Sequence, residues 1–178
     1  MKLLRTIQLD ASDAFVFERA AAPGEWAVSG AFAFLNLDIP VLQGRARTAF
    51  RASFLGLSSL GRSTLVQIVD ATEQDRAAAV ELLAGQLVAR FGAPDLGSAC
   101  AAAEEEIAFA ASLCHPAAGV IVAVTRTFES GSIREAYRSL LPGTQSPSRP
   151  FNFVEVIGEE TEAKGPLDLV GLARGERI

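Results

Sequence analysis

Four arginines that lie close together in the chain are the residues of this sequence best suited to chemistry: Arg45, Arg47, Arg51 and Arg62. Residues 44–55 have helical spacing, so Arg47 and Arg51 share one flank of a helix, because residues four apart are neighbours there. Arg45 lies on another side, and Arg62 returns nearby. A guanidinium presents a planar fork of donors that matches a carboxylate or a phosphate. The spacing predicts a site for an anionic ligand or an acidic partner; the alternative is surface arginines paired with local acids.

Other combinations of reactive residues lack the geometry that their chemistry needs. Residues 56–63 (GLSSLGRS) approach a phosphate-binding loop, but Arg62 replaces the lysine, and a helix precedes the loop where a strand should. The only histidine, His115, lies at a predicted helix end and favours a structural role. Consecutive glutamates at 104–106 point about 100° apart on a helix and predict a solvated face. The sequence therefore predicts no catalytic residue, no metal site and no cofactor, and makes an enzyme the less favoured class.

Composition limits the partners and the compartment. The formal net charge is −5 and the pI is about 5.0, so a phosphate backbone is repelled and nucleic acid is not an expected partner. No apolar run approaches the length of a membrane span, and no signal-like segment opens the chain. The two cysteines, Cys100 and Cys114, fall in one predicted helix, too far apart for a disulfide. These observations predict a cytoplasmic protein with two free thiols.

The predicted elements define an α+β fold. Residues 3–9, 15–19 and 25–35 are expected to form an antiparallel meander, and residues 44–55 a helix with Gly56 at its left-handed end. A strand over 63–71 precedes helices over 73–91 and 95–114, the first with Thr72 and Asp75 as a capping box. A strand over 119–124 precedes a short helix that Ser132 and Glu135 should begin. Together they predict an antiparallel or mixed sheet of about five strands, with helices mainly on one face, in a core domain of residues 1–142.

Residues 143–178 form a linker and a tail. The segment 151–157 (FNFVEVI) is strand-like and too apolar to remain in water. We expect Phe151, Phe153, Val154 and Ile157 to dock on a sheet edge or in a groove. The host is either the same chain or a second copy, and a homodimer with a crossed-over tail is the favoured form.

Two stretches carry a family resemblance: FVFER at 15–19 through Gly24, Glu25 and Trp26, and AEEEIAF at 103–109 through Cys114 and His115. With the strand at Leu65 between them, they resemble a small family of uncharacterised bacterial proteins over residues 1–141. Some members are encoded near molybdenum-dependent formate dehydrogenase-like enzymes, which implies an accessory role. The function expected first is a non-catalytic interaction or accessory protein that assists assembly of a larger enzyme. The alternative is an anion-binding protein or an enzyme without a recognisable motif.

Overall fold

The computed structural model describes residues 1–9 and 11–141, together with the backbone of residues 155–161. The helices are α1 (Ser12–Val16), α2 (Gly44–Arg51), α3 (Glu73–Arg90) and α4 (Leu96–Ser112). The strands are β1 (Lys2–Ile7), β2 (Trp26–Val28), β3 (Phe54–Gly56), β4 (Arg62–Ser63), β5 (Leu65–Asp70), β6 (Ile121–Glu129), β7 (Ser132–Leu141) and β8 (Glu155–Thr161).

The eight strands of the described residues belong to one sheet in the order β4-β3-β2-β1-β5-β6-β7-β8, and each neighbouring pair is antiparallel. The α+β prediction is therefore confirmed. The expected number of about five strands is wrong, since residues 1–141 alone supply seven.

The predicted short helix after Ser132 is instead strand β7, which forms a long hairpin with β6. The turn between them places Ser130 and Gly131 at φ values of 51° and 80°. Two successive positive φ values are typical of the turn that matches the twist of a tight hairpin. Ile133 and Tyr137 are buried on β7 between more exposed neighbours. The capping-box pattern was misleading because cross-strand pairing determines this backbone.

The predicted N-terminal meander is also wrong in two of its three parts. Residues 15–19 do not form a strand, since α1 contains Phe15 and ends at Val16. Strand β2 ends at Val28, and Ala31–Phe34 form a 3-10 turn. Gly30 separates them with φ of 70°, and a Cβ atom there would lie 2.5 Å from the Cβ of Leu55. The close approach to β3 therefore requires a glycine at this point.

Helix α2 is shorter than the helical spacing predicted. It ends at Arg51, and Phe54 belongs to β3, which pairs with β2. Gly56 lies within β3 and has no positive φ, whereas Leu60 in the following turn has φ of 54°. Because β3 pairs with β2, its residues adopt an extended backbone, although the apolar spacing predicted a helix here.

The core lies between the sheet and the two long helices. The predicted capping box at Thr72 is present, and Val80, Leu83 and Leu87 of α3 are buried. Helix α4 packs on β1 and β2 through a stripe of small residues: Ala99, Ala102, Ala103 and Ala110. Because these side chains are small, helix and sheet can approach closely. In the part of the chain that the structure describes, no helix is long and apolar enough to cross a membrane.

Candidate functional site

A cleft of about 380 Å³ opens between helix α2 and strand β6. Arg47, Phe50 and Arg51 line it from α2, and Arg126, Thr127 and Phe128 line it from β6. Ile39 and Pro40, from a 3-10 turn that precedes α2, complete the wall. Its volume lies at the lower end of the range of about 300–1,000 Å³ that is typical of small-ligand sites.

The structure brings two of the four predicted arginines together at this cleft. Arg47 and Arg51 project from successive turns of α2, are exposed, and have no ion pair or side-chain hydrogen bond within the described residues. Arg45 is exposed on the same helix but does not line the cleft. Arg62 lies on β4, where its guanidinium packs 4.4 Å from the centre of the Phe34 ring. Among the described residues, therefore, no acid neutralises the two arginines at the cleft.

Arg126 forms part of the cleft floor and holds α2 in place. Its side chain is completely buried. Nη1 donates to the carbonyl oxygens of Phe50 and Ser53, at 3.2 and 2.6 Å, at the C-terminal end of α2. Nη2 donates to the carbonyl and hydroxyl oxygens of Ser29, and Nε donates to Glu135 at 2.6 Å. All five N–H groups of this guanidinium are thus used internally, so Arg126 positions the helix rather than offering donors to a ligand.

A second buried carboxylate lies beside this network. Glu106 of α4 accepts a hydrogen bond from the Gly30 backbone N–H at 3.0 Å. Burial raises the pKa of Glu106 to about 7, an effect that Glu135 increases and that Gly30 and Arg126 partly offset. The prediction that residues 104–106 form a solvated face is therefore wrong for Glu106, although Glu104 and Glu105 are exposed.

The guanidinium of Arg62, in the same region, has a buried nitrogen, Nη1, without a hydrogen-bond partner among the described residues. Burial, followed by repulsion from Arg126, lowers the pKa of Arg62 to about 9. The hydroxyl of Tyr137 is also buried, beside Ser29 and Glu135, and burial is the largest cause that raises its pKa. Arg62 is therefore partly buried against Phe34 and does not line the cleft, where it was expected to return.

Sequence reasoning missed Arg126, Phe128 and Glu106, although two of them had a readable signal. Arg126 continues the inward alternation of Val122 and Val124 along β6. Glu106 stands three residues after Ala103 on the small-residue stripe of α4, so helical periodicity places it inward. Phe128 is found only from the structure, because its neighbour across the cleft is a helix distant in sequence.

Among the described residues, no group of three or more histidine, cysteine or carboxylate side chains is arranged to hold a metal ion. The described residues that line the cleft include no histidine, cysteine or carboxylate, and Thr127 supplies the hydroxyl group. Such a lining can bind an anion, but it provides no general base or strong nucleophile.

The tail meets the sheet at strand β8, which pairs with β7 in the same chain, for example Tyr137 with Glu160 and Leu141 with Glu155. The predicted docking residues Phe151, Phe153 and Val154 lie outside the described residues, and Ile157 lies within β8. Their role in docking, the domain boundary at residue 142 and the crossed-over homodimer all stay predictions.

The fold and the cleft define an α+β protein with a buried arginine–glutamate network behind an arginine-lined site. A family model described as a family of unknown function (DUF6505) matches residues 1–148. The chain therefore belongs to this family, which bears out the resemblance to an uncharacterised family. No curated protein and no solved structure matches the chain.

Proposed function

We propose that this protein binds a small anionic molecule in the cleft between α2 and β6. The observation that carries the proposal is the pair Arg47 and Arg51, which line a ligand-sized cleft without an acidic partner among the described residues. The net charge of the chain is −5, so a cleft lined by two arginines without an ion pair among the described residues is unusual for this acidic protein. Paired guanidinium groups can share one oxyanion through charge-assisted hydrogen bonds.

The buried network supports this function by fixing the helix that carries the two arginines. Arg126 forms an ion pair with Glu135. Its hydrogen bonds also link the end of α2 to β6 and to Ser29. Pre-organised donors lose less entropy when a ligand binds. The cleft is therefore suited to binding, and its lining supplies no group that favours catalysis.

The test is a titration of the full chain with small anions, followed by isothermal calorimetry at low ionic strength. The probes are inorganic phosphate, acetate and benzoate. We expect the double variant Arg47→Ala/Arg51→Ala to weaken binding at least tenfold. The matched control is Arg45→Ala, which removes the same charge from the same helix but away from the cleft, and which should weaken binding less than about threefold.

The double variant should remain folded, because both arginines are exposed and unpaired. Exposed charges of this kind contribute about 1 kcal/mol or less to the free energy of unfolding. Urea denaturation measures this quantity. Failure of the wild-type chain to bind any of the three probes, or equal loss in Arg45→Ala and in the double variant, would contradict the anion site.

The second candidate is a non-catalytic interaction or accessory protein, the role that the resemblance to proteins encoded near formate dehydrogenase-like enzymes implies. It is supported by large apolar side chains on the surface near the N-terminus, where Phe15 is 72% and Leu9 is 66% exposed. Such residues are typical of contact surfaces when they cluster. Affinity capture of a partner by the wild-type chain that is lost in Phe15→Ser, with the anion titration unchanged, would favour this role.

A further inference from the structure

The position of the cleft on α2 is unfavourable for binding a multiply charged anion. Phe50 and Arg51 belong to the last turn of α2, and Arg47 to its middle, whereas the first residue, Gly44, does not line the cleft. The C-terminal end of a helix carries a partial negative charge. Phosphate sites usually combine a helix N-terminus with glycine-rich backbone N–H groups. No glycine of the described chain lines the cleft, so the head group must be recognised by the two guanidinium groups themselves.

Apart from Arg126, whose donors are used internally, and the hydroxyl of Thr127, the other described residues of the cleft are apolar. Ile39, Pro40, Phe50 and Phe128 line it beside the arginines. Phe50 is buried and packs edge-on against Phe34, so it is a rigid wall. Phe128 is 38% exposed near the end of β6, with surface left to cover. A fully hydrated ion would leave this apolar wall without a partner, whereas an apolar ligand body would remove Phe128 from water.

We infer that the ligand is a small organic monocarboxylate with an apolar body of about one ring, held with its carboxylate between Arg47 and Arg51 and its body against Phe128. This inference rests on the proposed anion site and adds the ligand class. The cleft volume of about 380 Å³ suits a free acid of this size. The same head group at the C-terminus of a peptide is the other source of a carboxylate, and the test separates the two.

The experiment compares benzoate, acetate and inorganic phosphate by calorimetry on the full wild-type chain, with a short peptide ending in phenylalanine as a fourth probe. We expect benzoate to bind at least tenfold more tightly than acetate or phosphate, and more tightly than the peptide. Phe128→Ala should weaken benzoate about tenfold or more, equivalent to about 1.4 kcal/mol, and leave acetate unchanged. The control Phe15→Ala removes an exposed ring that does not line the cleft and should change neither affinity.

The outcomes distinguish this inference from the proposal on which it rests. If phosphate or acetate binds as tightly as benzoate through Arg47 and Arg51, and Phe128→Ala has no effect, the anion site stands and the ligand class is overturned. If the peptide binds more tightly than benzoate, the carboxylate belongs to a protein partner and the free-acid inference is overturned. If no probe binds, both fail. Phe128→Leu retains an apolar contact and should keep at least part of the benzoate affinity, which guards against a folding defect in Phe128→Ala.

Discussion

Replacing Glu106 with glutamine should remove a loss of stability that this protein shows as the pH rises from about 4.5 to 7. Glu106 is buried in α4, its pKa is raised from 4.5 to about 7, and the largest cause is burial. The groups that face it are the Gly30 N–H, Arg126 of β6 and Glu135 of β7. Glutamine has nearly the same shape and retains an oxygen that can accept from Gly30, but it cannot ionise.

The sign follows from proton binding in the two states. Between about pH 4.5 and 7 the unfolded chain has lost the proton from Glu106 and the folded chain has kept it, so stability falls as the pH rises. Below about pH 4.5 both states are protonated and nothing is lost. Above about pH 7 both are ionised, and the full cost of holding the buried charge remains. A shift of this size corresponds to about 3 kcal/mol.

The assay is urea denaturation of wild type and Glu106→Gln at several pH values between 5 and 8. The free energy of unfolding of the variant minus that of wild type should rise by about 2 kcal/mol or more across this range. A constant offset from the new amide does not affect this slope. The control Glu105→Gln changes the exposed neighbour on the same helix and should give a nearly flat difference. A flat difference for Glu106→Gln as well would refute the reasoning, because Glu106 would then titrate as a solvated carboxylate.

Three further predictions concern the network, the tail and the thiols. Arg126→Met should lower the free energy of unfolding by about 3–5 kcal/mol in urea denaturation, because it leaves Glu135 buried without its partner; a loss below about 1 kcal/mol would mean that the pair is not buried. Truncation after Leu141 removes β8 and bares the β7 edge, so we expect a lower melting temperature and a changed oligomeric state by size-exclusion chromatography. If neither changes, the tail is not a structural clasp. Intact-mass measurement should show that both cysteines are reduced, and a loss of two hydrogens would contradict this. Cys100, which is half-buried, should react with a thiol reagent faster than Cys114, because burial raises the pKa of Cys114 to about 11. Equal reaction rates would contradict the second expectation.

The sequence predicted best the elements whose ends are specified by local chemistry. Helix α3 begins where Thr72 and Asp75 cap it reciprocally, and Gly92, in a left-handed conformation, follows its end. Helix α4 is likewise preceded by a capping residue, Asp95, whose side chain accepts from the Ser98 N–H. These signals depend on residues within one turn of one another, so a single sequence contains them in full.

The failures share a cause, which is that non-local pairing overrides local pattern. Ser132 and Glu135 have capping-box spacing, but the hairpin with β6 places them in a strand. Phe54 continues a helical stripe, but pairing with β2 places it in β3. The candidate site divides in the same way. The neighbouring turns of Arg47 and Arg51 could be predicted, whereas their position opposite Phe128 depends on how α2 meets β6.

The most direct measurement of the central claim is a crystal structure of the full chain soaked with 4-bromobenzoate, with anomalous scattering used to locate the bromine. We expect one principal bromine site in the α2–β6 cleft beside Phe128, with the carboxylate oxygens within hydrogen-bond distance of Arg47 and Arg51. The site should be absent in Arg47→Ala/Arg51→Ala and present in Arg45→Ala. An empty cleft in crystals of a chain that binds 4-bromobenzoate in solution, or a principal bromine site elsewhere on the molecule, would contradict it.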